Sequence, residues 1–547
     1  MKRYFIFLFL ILGSVFCGVY YWTNRLDIKG FAELSSKSPG VIPPEDFILP
    51  DLLDTAQILT KKVRDPQVFK IENCAKGIST LSEAIRKLDA EYFTPSLANH
   101  KVKEINEALF GLRLSLRARL LGFFEAGQLN DENGRACMNA TRLAFRTIRY
   151  LEDELLLQAL NPKAFDPKTD KVAGNVLNDS SPILMTANSA PVKLRSGDVF
   201  LSRGNTFESA AIARIGKEEA QFSHLALVYI EAPVGTELSV EDADNDPRAH
   251  TIEAHIEVGA FGRLFKNYVD DGNGRVLQFR SKLPPEKAHQ AAESLFNYVG
   301  KYQQDRMKKA GRDQLEPDDN PPYDFKMNAK DHREIFCAEV VSMAYENVGW
   351  NIPTFPSELR NNDLTQLMQI TSLSTFAPAD MEVEPRFDFL AEWRDVRKTA
   401  ALLRKDVVLA SIYNWMDVER YRFHFSPVDF AKAWVAWGVR HAGIGFQKVI
   451  PNNIPLPTVR LTFELDKVGE VLENHLKDFE AEYRKNHKGA KPSFIEEENE
   501  LELFRQADVK IAATAHQVME EWLKKNDVDI TNPPSVIQPN FLNFLGP

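Results

Sequence analysis

The chain has 547 residues, of which 44% are hydrophobic and 26% charged, a composition that indicates several globular domains and excludes a disordered protein. Lys and Arg number 67 and Asp and Glu number 77, so the formal net charge is −10, and this acidic balance argues against a nucleic-acid-binding protein. Four cysteines in so long a chain exclude a disulfide scaffold and a cysteine-rich zinc module.

The chain begins with a stretch that has no charged side chain, residues 4–22, directly after Lys2 and Arg3. A helix of this length would span roughly 28 Å, close to the hydrocarbon thickness of a bilayer. Basic residues before such a helix stay on the cytoplasmic side, so the sequence predicts a single-pass bacterial inner-membrane protein with its body in the periplasm. A cleaved signal within residues 1–25 and a lipidated Cys17 are the alternatives, and all three export the body.

A linker and three body regions follow. Residues 26–47 are rich in Pro, Ser and Gly, which is typical of a linker. Residues 48–165 place apolar side chains three or four positions apart, and this spacing predicts a helical domain. Residues 183–375 change to short β-branched and aromatic runs separated by turns, with helical stretches after them, which predicts an α+β domain. Residues 385–547 again show a mainly helical pattern.

The most informative cysteine is Cys337, which directly precedes an apolar run with helical spacing at residues 338–345. A thiol at a helix N-terminus faces unpaired N–H groups and the positive end of the helix dipole, so we expect its pKa to be lowered. The same N–H groups could hold the oxyanion of a tetrahedral intermediate. A buried structural cysteine is the alternative interpretation.

A thiol nucleophile needs a base, and His224 stands at the start of an apolar strand where it could serve as one. In the next strand, alternation places Thr251, Glu253 and His255 on one face. A carboxylate on this neighbouring strand could hold the tautomer of the His224 imidazole and stabilise its charged form. A histidine in a strand is otherwise most often structural.

Five segments follow one another within residues 183–375, namely residues 196–201, 223–228, 252–254, 323–325 and 336–341. In this order they resemble the YiiX/YebB-like cysteine hydrolases. These hydrolases belong to the circularly permuted branch of the NlpC-type papain-like superfamily, which also includes lecithin retinol acyltransferase-like proteins. In this branch the histidine precedes the cysteine, which is the reverse of the order in papain. The five segments follow this order, with His224 in the second segment and Cys337 in the fifth.

The resemblance implies a permuted papain-like fold with an antiparallel sheet, in which Cys337 is the nucleophile, His224 the base and Glu253 the third residue. It implies a thiol hydrolase or acyltransferase that forms a thioester with a cell-wall peptide or a lipid acyl group, without a cofactor or metal. Ordinary core packing is the safer interpretation of the aromatic-rich residues 413–437, and they tilt the choice of substrate only slightly toward a lipid. Three further polar residues are candidates for the third position or for the pocket: His255, Asp324 and Asp198.

Two alternatives remain open for the same residues. His250, Glu253 and His255 could form a metal site together with His224, although their spacing differs from the His-Glu-x-x-His of a zinc helix. The body could also be a non-catalytic envelope scaffold or ligand-binding protein with a papain-like core. Finally, two cysteines of the first helical region could pair in an oxidising periplasm or stay buried as thiols: Cys74 and Cys137.

Overall fold

The structure is a computed structural model, and it covers most of the body of the chain. The predicted membrane segment at residues 4–22 and Cys17 lie outside the described residues. Within the described residues, no helix combines the length and the apolar character needed to cross a membrane. The described ranges are 52–67, 69–85, 100, 102–159, 176–177, 183–187, 191–218, 220–329, 331–425, 427–442, 450–487, 489–525, 540–542 and 544–546.

The first region is helical, as the apolar spacing predicted. Ile105, Leu109 and Leu116 lie on the stripe that the sequence indicated, and all three are buried in a common core. A disulfide joins Cys74 to Cys137, with Cα atoms 5.2 Å apart, and so links the second helix to the fourth. The helices are α1 (Leu52–Arg64), α2 (Ile71–Ile85), α3 (Val102–Glu125) and α4 (Glu132–Ala159).

The centre of the molecule is a seven-stranded sheet in which every pair of neighbouring strands is antiparallel. The α+β class and the antiparallel sheet are therefore confirmed. In spatial order, the strands of this sheet are β1 (Ile183–Thr186), β11 (Phe387–Arg394), β8 (Arg275–Ser281), β3 (Val199–Arg203), β4 (His224–Ile230), β6 (Ala249–His255) and β7 (Gly259–Leu264). The short strands outside it are β2 (Lys193–Arg195), β5 (Glu237–Ser239), β9 (Ser357–Glu358), β10 (Ser374–Thr375), β12 (Arg422–Phe423) and β13 (Leu545–Gly546).

Both faces of the sheet are covered, so its central strands are apolar on both sides. Leu201 and Leu227 face one apolar layer, which includes the helix that begins at Cys337, whereas Phe200 and Val228 face another. Gly197, in the Ser196-Gly197-Asp198 turn, allows the sheet and a covering helix to pack closely. Gly197 has a φ of +90°, and a Cβ there would lie 2.7 Å from the Ala288 carbonyl oxygen. Only glycine fits this close approach.

The remaining helices cover the sheet and form the C-terminal region. Tyr345 ties the Cys337 helix to the sheet, because its hydroxyl donates to the Gly197 carbonyl at 2.6 Å. The helices are α5 (Phe207–Ile212), α6 (Val240–Asn245), α7 (Phe265–Asp270), α8 (Pro285–Ala310), α9 (Cys337–Glu346), α10 (Asp363–Leu367), α11 (Thr399–Val418), α12 (Pro427–His441), α13 (Leu456–Asn486) and α14 (Phe494–Lys525).

One strand of the sheet lies outside the range predicted for the α+β domain. Strand β11 falls within residues 385–547, for which the sequence pattern predicted helices, yet it pairs with both β1 and β8. Its Glu392 and Arg394 are buried and form ion pairs with Arg113 and Glu152, respectively, of the first helical region. The sheet is therefore completed by a segment that follows the predicted boundary at residue 375.

Candidate functional site

The candidate site lies where strand β4 begins and the neighbouring strand β6 ends. The two strands pair antiparallel with Leu227 opposite Ile252. Extending this register places His224 opposite His255, and the two rings do meet edge to face with centroids 4.8 Å apart. The predicted alternation is confirmed, because Thr251, Glu253 and His255 form one hydrogen-bonded group.

Glu253 is the centre of this group, and its side chain is completely buried. Oε2 accepts from His224 Nε2 at 2.9 Å and from His255 Nε2 at 3.1 Å. Oε1 accepts from the Thr251 hydroxyl at 2.6 Å. Although burial acts to raise it, the hydrogen bonds from the two histidines and the charge of Arg263 hold the pKa of Glu253 well below its usual range. Glu253 is therefore an ionised carboxylate, and the hydrogen bonds that it accepts offset the free-energy cost of burying its charge.

Arg263 binds the same carboxylate in a bidentate manner. Its Nε lies 2.8 Å from Glu253 Oε1 and its Nη2 lies 3.0 Å from Oε2. The register of β6 and β7 produces this contact, since Arg263 is paired with Thr251 on the adjacent strand. Asp271 binds the other side of the guanidinium, with Oδ1 at 3.0 Å from Nη1. The Glu253 carboxylate is thus fixed in position from three directions.

The pKa values of the two histidines are shifted in opposite directions. Burial lowers the pKa of His224 below its ordinary value, and the hydrogen bond to Glu253 only partly offsets this effect. For His255, burial also acts to lower the pKa, but the hydrogen bond and charge of Glu253 raise it above the ordinary value. Of the two rings, His224 is therefore the one whose neutral form is favoured. Its Nδ1 forms no hydrogen bond among the described residues, so with the proton on Nε2 this nitrogen has a free lone pair.

Cys337 is the first residue of α9, as the sequence predicted. The Glu339 carboxylate stabilises the helix start by accepting the Phe336 N–H at 3.3 Å, and it also binds His332 Nδ1 at 2.8 Å. The Cys337 thiol is 3% exposed and donates to the Ser223 carbonyl oxygen at 3.7 Å. The nucleophile candidate is thus anchored against the backbone that leads into His224.

The expectation of a lowered thiol pKa is wrong. Burial raises the pKa of Cys337 to about 11, although the Leu225 N–H, the Tyr323 hydroxyl and the N–H groups at the helix start all act to lower it. The helix N-terminus does aim donors at the sulfur, but the loss of water around the anion costs more. In this structure the group is therefore a neutral thiol.

The Cys337 thiol contacts the backbone next to His224 and forms no hydrogen bond with the His224 ring itself. Ile252 and Ala254, which alternate with Glu253, face the apolar layer that contains the Cys337 helix, so Glu253 projects from the opposite face of the sheet. Cys337 approaches residues 223–225 from the first face and forms no direct hydrogen bond with His224, both residues being described. The two side chains can therefore meet only around the start of strand β4.

The other predicted residues lie elsewhere. Asp198 is buried at the opposite end of the sheet region, where Arg280 Nε donates to Oδ1 at 2.7 Å. Asp324 closes a loop by accepting the Lys326 and Asn328 N–H groups. His250, part of the alternative metal set, packs its ring against Tyr229 and Phe296 and lies outside the Glu253 group. Its position on the other face follows from strand alternation.

Two functional candidates were not identified from the sequence. Arg263 lies on a strand whose pattern carried no signal, and only the register with β6 brings it to Glu253. Tyr323 belonged to a matching segment at residues 323–325, but its hydroxyl contact with the Cys337 sulfur required the fold.

Comparisons with known proteins yield one structural match. No family model matches the chain, and no curated protein matches it. A solved structure titled "Crystal structure of metalloprotein yiiX from Escherichia coli O157:H7, DUF1105" is similar at 16% sequence identity, over 36% of this chain and 95% of that chain, with a TM-score of 0.25.

Proposed function

We propose that the protein is an exported thiol hydrolase or acyltransferase in which His224, oriented by Glu253, takes the proton of Cys337. One observation supports this assignment above the others. The buried Glu253 carboxylate binds Nε2 of a neutral His224, while the carbonyl of the preceding residue, Ser223, contacts the Cys337 thiol. A carboxylate, an imidazole and a thiol in this order are the parts of a nucleophilic triad.

The proposed chemistry begins at the imidazole. With its Nε2–H donated to Glu253, His224 presents the Nδ1 lone pair as a base. The Cys337 thiol turns from the Ser223 carbonyl toward Nδ1 and transfers its proton there. The thiolate then attacks the carbonyl carbon of an amide or ester, forming the carbon–sulfur bond.

The second half of the reaction breaks the scissile bond. The oxyanion of the tetrahedral adduct accepts from N–H groups at the start of the Cys337 helix, and the Tyr323 hydroxyl is a further donor near the sulfur. Collapse expels the amine or alcohol, which takes the proton from His224, and leaves a thioester on Cys337. Water gives hydrolysis of the thioester, and a second nucleophile gives acyl transfer.

The permuted papain-like fold is part of the same proposal. The order of the matching segments along the chain supports it, since His224 precedes Cys337 in the sequence. An antiparallel sheet packed against a helix that begins with the cysteine also agrees with it.

A lipid or lipid-linked substrate is favoured over a cell-wall peptide by the surface of α12. In the aromatic-rich residues 413–437, Tyr413 and Trp415 are core residues, but Phe430 and Trp434 are 46% and 56% exposed. Exposed aromatic side chains on one helix suit an apolar or interfacial substrate.

Placement of the body in the periplasm is supported by the Cys74–Cys137 disulfide. Disulfides of this kind persist in oxidising compartments and are rare in the cytosol. The uncharged residues 4–22 would then act as an anchor in the inner membrane.

The test compares cells and purified protein with intact and altered sites. Cys337→Ala and His224→Ala should each abolish turnover while leaving circular dichroism unchanged, and His250→Ala on the same sheet is the matched control that should retain activity. Lipid extracts and cell-wall peptides from cells with wild-type or Cys337→Ala protein would identify the substrate class. Full turnover by Cys337→Ala would refute the assignment, and a wild-type protein that changes neither pool would favour a non-catalytic scaffold.

A further inference from the structure

We propose that His224, Glu253 and His255 form a binding site for a zinc-like divalent cation, and that an ion bound there switches off the thiol chemistry. The second half of this inference rests on the proposed function, whereas the first does not. The ligand atoms of the three side chains all lie within 4.8 Å of one another. Two imidazoles and one carboxylate with a position left open form a known donor set for zinc.

The number of hydrogen-bond donors around Glu253 supports a metal site. Three N–H donors converge on Oε2, from His224, His255 and Arg263, and two more donors bind Oε1. A carboxylate offers about four lone-pair positions, so five donors exceed its capacity by one. A single cation in place of the two histidine N–H groups would leave four partners for four positions.

The distances between the ligand atoms also suit zinc. Zinc binds imidazole nitrogen and carboxylate oxygen at about 2.0 to 2.2 Å, so neighbouring ligand atoms in a tetrahedral site lie about 3.3 Å apart. The two Nε2 atoms are 2.9 Å and 3.1 Å from Glu253 Oε2. These two distances differ from that spacing by only a few tenths of an ångström, and since all three ligand atoms lie within 4.8 Å of one another, the two imidazoles need to approach each other by at most about 1.5 Å.

The net charge around Glu253 and the exposure of the two histidines to solvent also favour a bound cation. The guanidinium of Arg263 is a cation next to the site, but Asp271 also pairs with it. When both imidazoles are neutral, Glu253, Arg263 and Asp271 therefore give the group one net negative charge, which attracts a cation. The histidine side chains are 19% and 27% exposed, whereas Glu253 is buried beneath them, so an ion can enter from solvent and reach all three ligands.

The consequence for the thiol follows from the tautomer of His224. Coordination uses the lone pair of Nε2, so the neutral ring must carry its proton on Nδ1. In this form Nδ1 cannot accept the proton of Cys337. Metal binding and thiol activation thus exclude each other at the same imidazole.

Zinc binding is measured by isothermal titration calorimetry on the full chain in detergent, after removal of metals with a chelator, at about pH 8 where imidazoles are mostly neutral. The wild type should bind one Zn²⁺ at this site. His255→Gln keeps a donor for Glu253 but lacks the imidazole, and it should bind at least about 100-fold more weakly. His250→Ala, on the same strand but outside the group, should bind like the wild type.

Zinc binding and inhibition of the thiol chemistry are tested by separate measurements. Equal zinc binding by wild type and His255→Gln, or no binding by either, would overturn the site. For the second half, turnover of the lipid or cell-wall peptide pool that the wild type changes should fall on adding Zn²⁺ to the wild type and should not respond to Zn²⁺ in His255→Gln. Wild-type turnover that zinc does not alter would overturn the inhibition. Loss of the proposed function would appear separately, as turnover that survives Cys337→Ala.

Discussion

At the scale of single residues, Cys337 shows two opposing effects on one thiol. The helix start, the Leu225 N–H and the Tyr323 hydroxyl all direct hydrogen-bond donors at the sulfur, yet burial raises its pKa to about 11. Position at a helix N-terminus is visible in a sequence, whereas the extent of burial is not. The resting molecule therefore holds a protonated nucleophile candidate, and proton transfer to His224 has to accompany substrate binding.

The alkylation rate of Cys337 should consequently follow pH. Only the thiolate reacts, so with a pKa of about 11 the rate should rise about tenfold per pH unit between about pH 7 and pH 10. Mass-spectrometric mapping of the iodoacetamide-modified peptide measures it without interference from Cys17. Tyr323→Phe removes a donor to the thiolate and should slow the reaction further at each pH. A rate that levels off near neutral pH would contradict a protonated resting thiol.

At the scale of secondary-structure elements, the disulfide between α2 and α4 is the main covalent constraint of the first helical region. The sequence left open whether Cys74 and Cys137 pair. Each lies on the buried side of its helix, and the packing of α2 against α4 brings the two sulfurs together. Helical periodicity predicted that both would be buried, but the angle and register between the helices decided the bond.

Loss of this bond should lower the stability of the helical region. The cysteines are 63 residues apart, and closing a loop of that length in the unfolded chain corresponds to about 4 kcal/mol. A reducing agent should therefore shift the first urea-unfolding transition of the wild type, monitored by circular dichroism, to lower urea. The Cys74→Ala/Cys137→Ala variant is the control and should not respond to reductant. An equal response in both proteins would show that the bond does not stabilise this region.

At the scale of the whole molecule, buried ion pairs connect the sheet to the first helical region. Arg113 Nη2 donates to Glu392 at 2.6 Å, and Arg394 and Arg275 pair with Glu152 and Asp153. All these side chains are buried. Removing one partner of such a pair leaves an uncompensated charge in the interior and costs about 3 to 5 kcal/mol. The α+β core and the first helices therefore depend on one another.

A fragment with residues 183–375 alone should fail to fold. It lacks strand β11, which separates β1 from β8 in the sheet, and it lacks the acidic partner of Arg275. Near-ultraviolet circular dichroism and urea unfolding should show no fixed tertiary structure and no cooperative transition. A fragment with residues 47–547, which form one compact unit, is the matched control and should fold. Cooperative unfolding of the short fragment would mean that the sheet tolerates the loss of β11.

The amino-acid sequence by itself determined the α+β class, the helical first region, the strand that begins at His224, and the helix that begins at Cys337. It also placed Glu253 and His255 on one face, because alternation along a strand is a local property of the backbone. Tertiary structure alone decided that Arg263 binds Glu253, that β11 completes the sheet, and that the Cys337 thiol is protonated. These features depend on strand register and on exclusion of water, which arise from contacts between residues far apart in the chain and leave no local pattern.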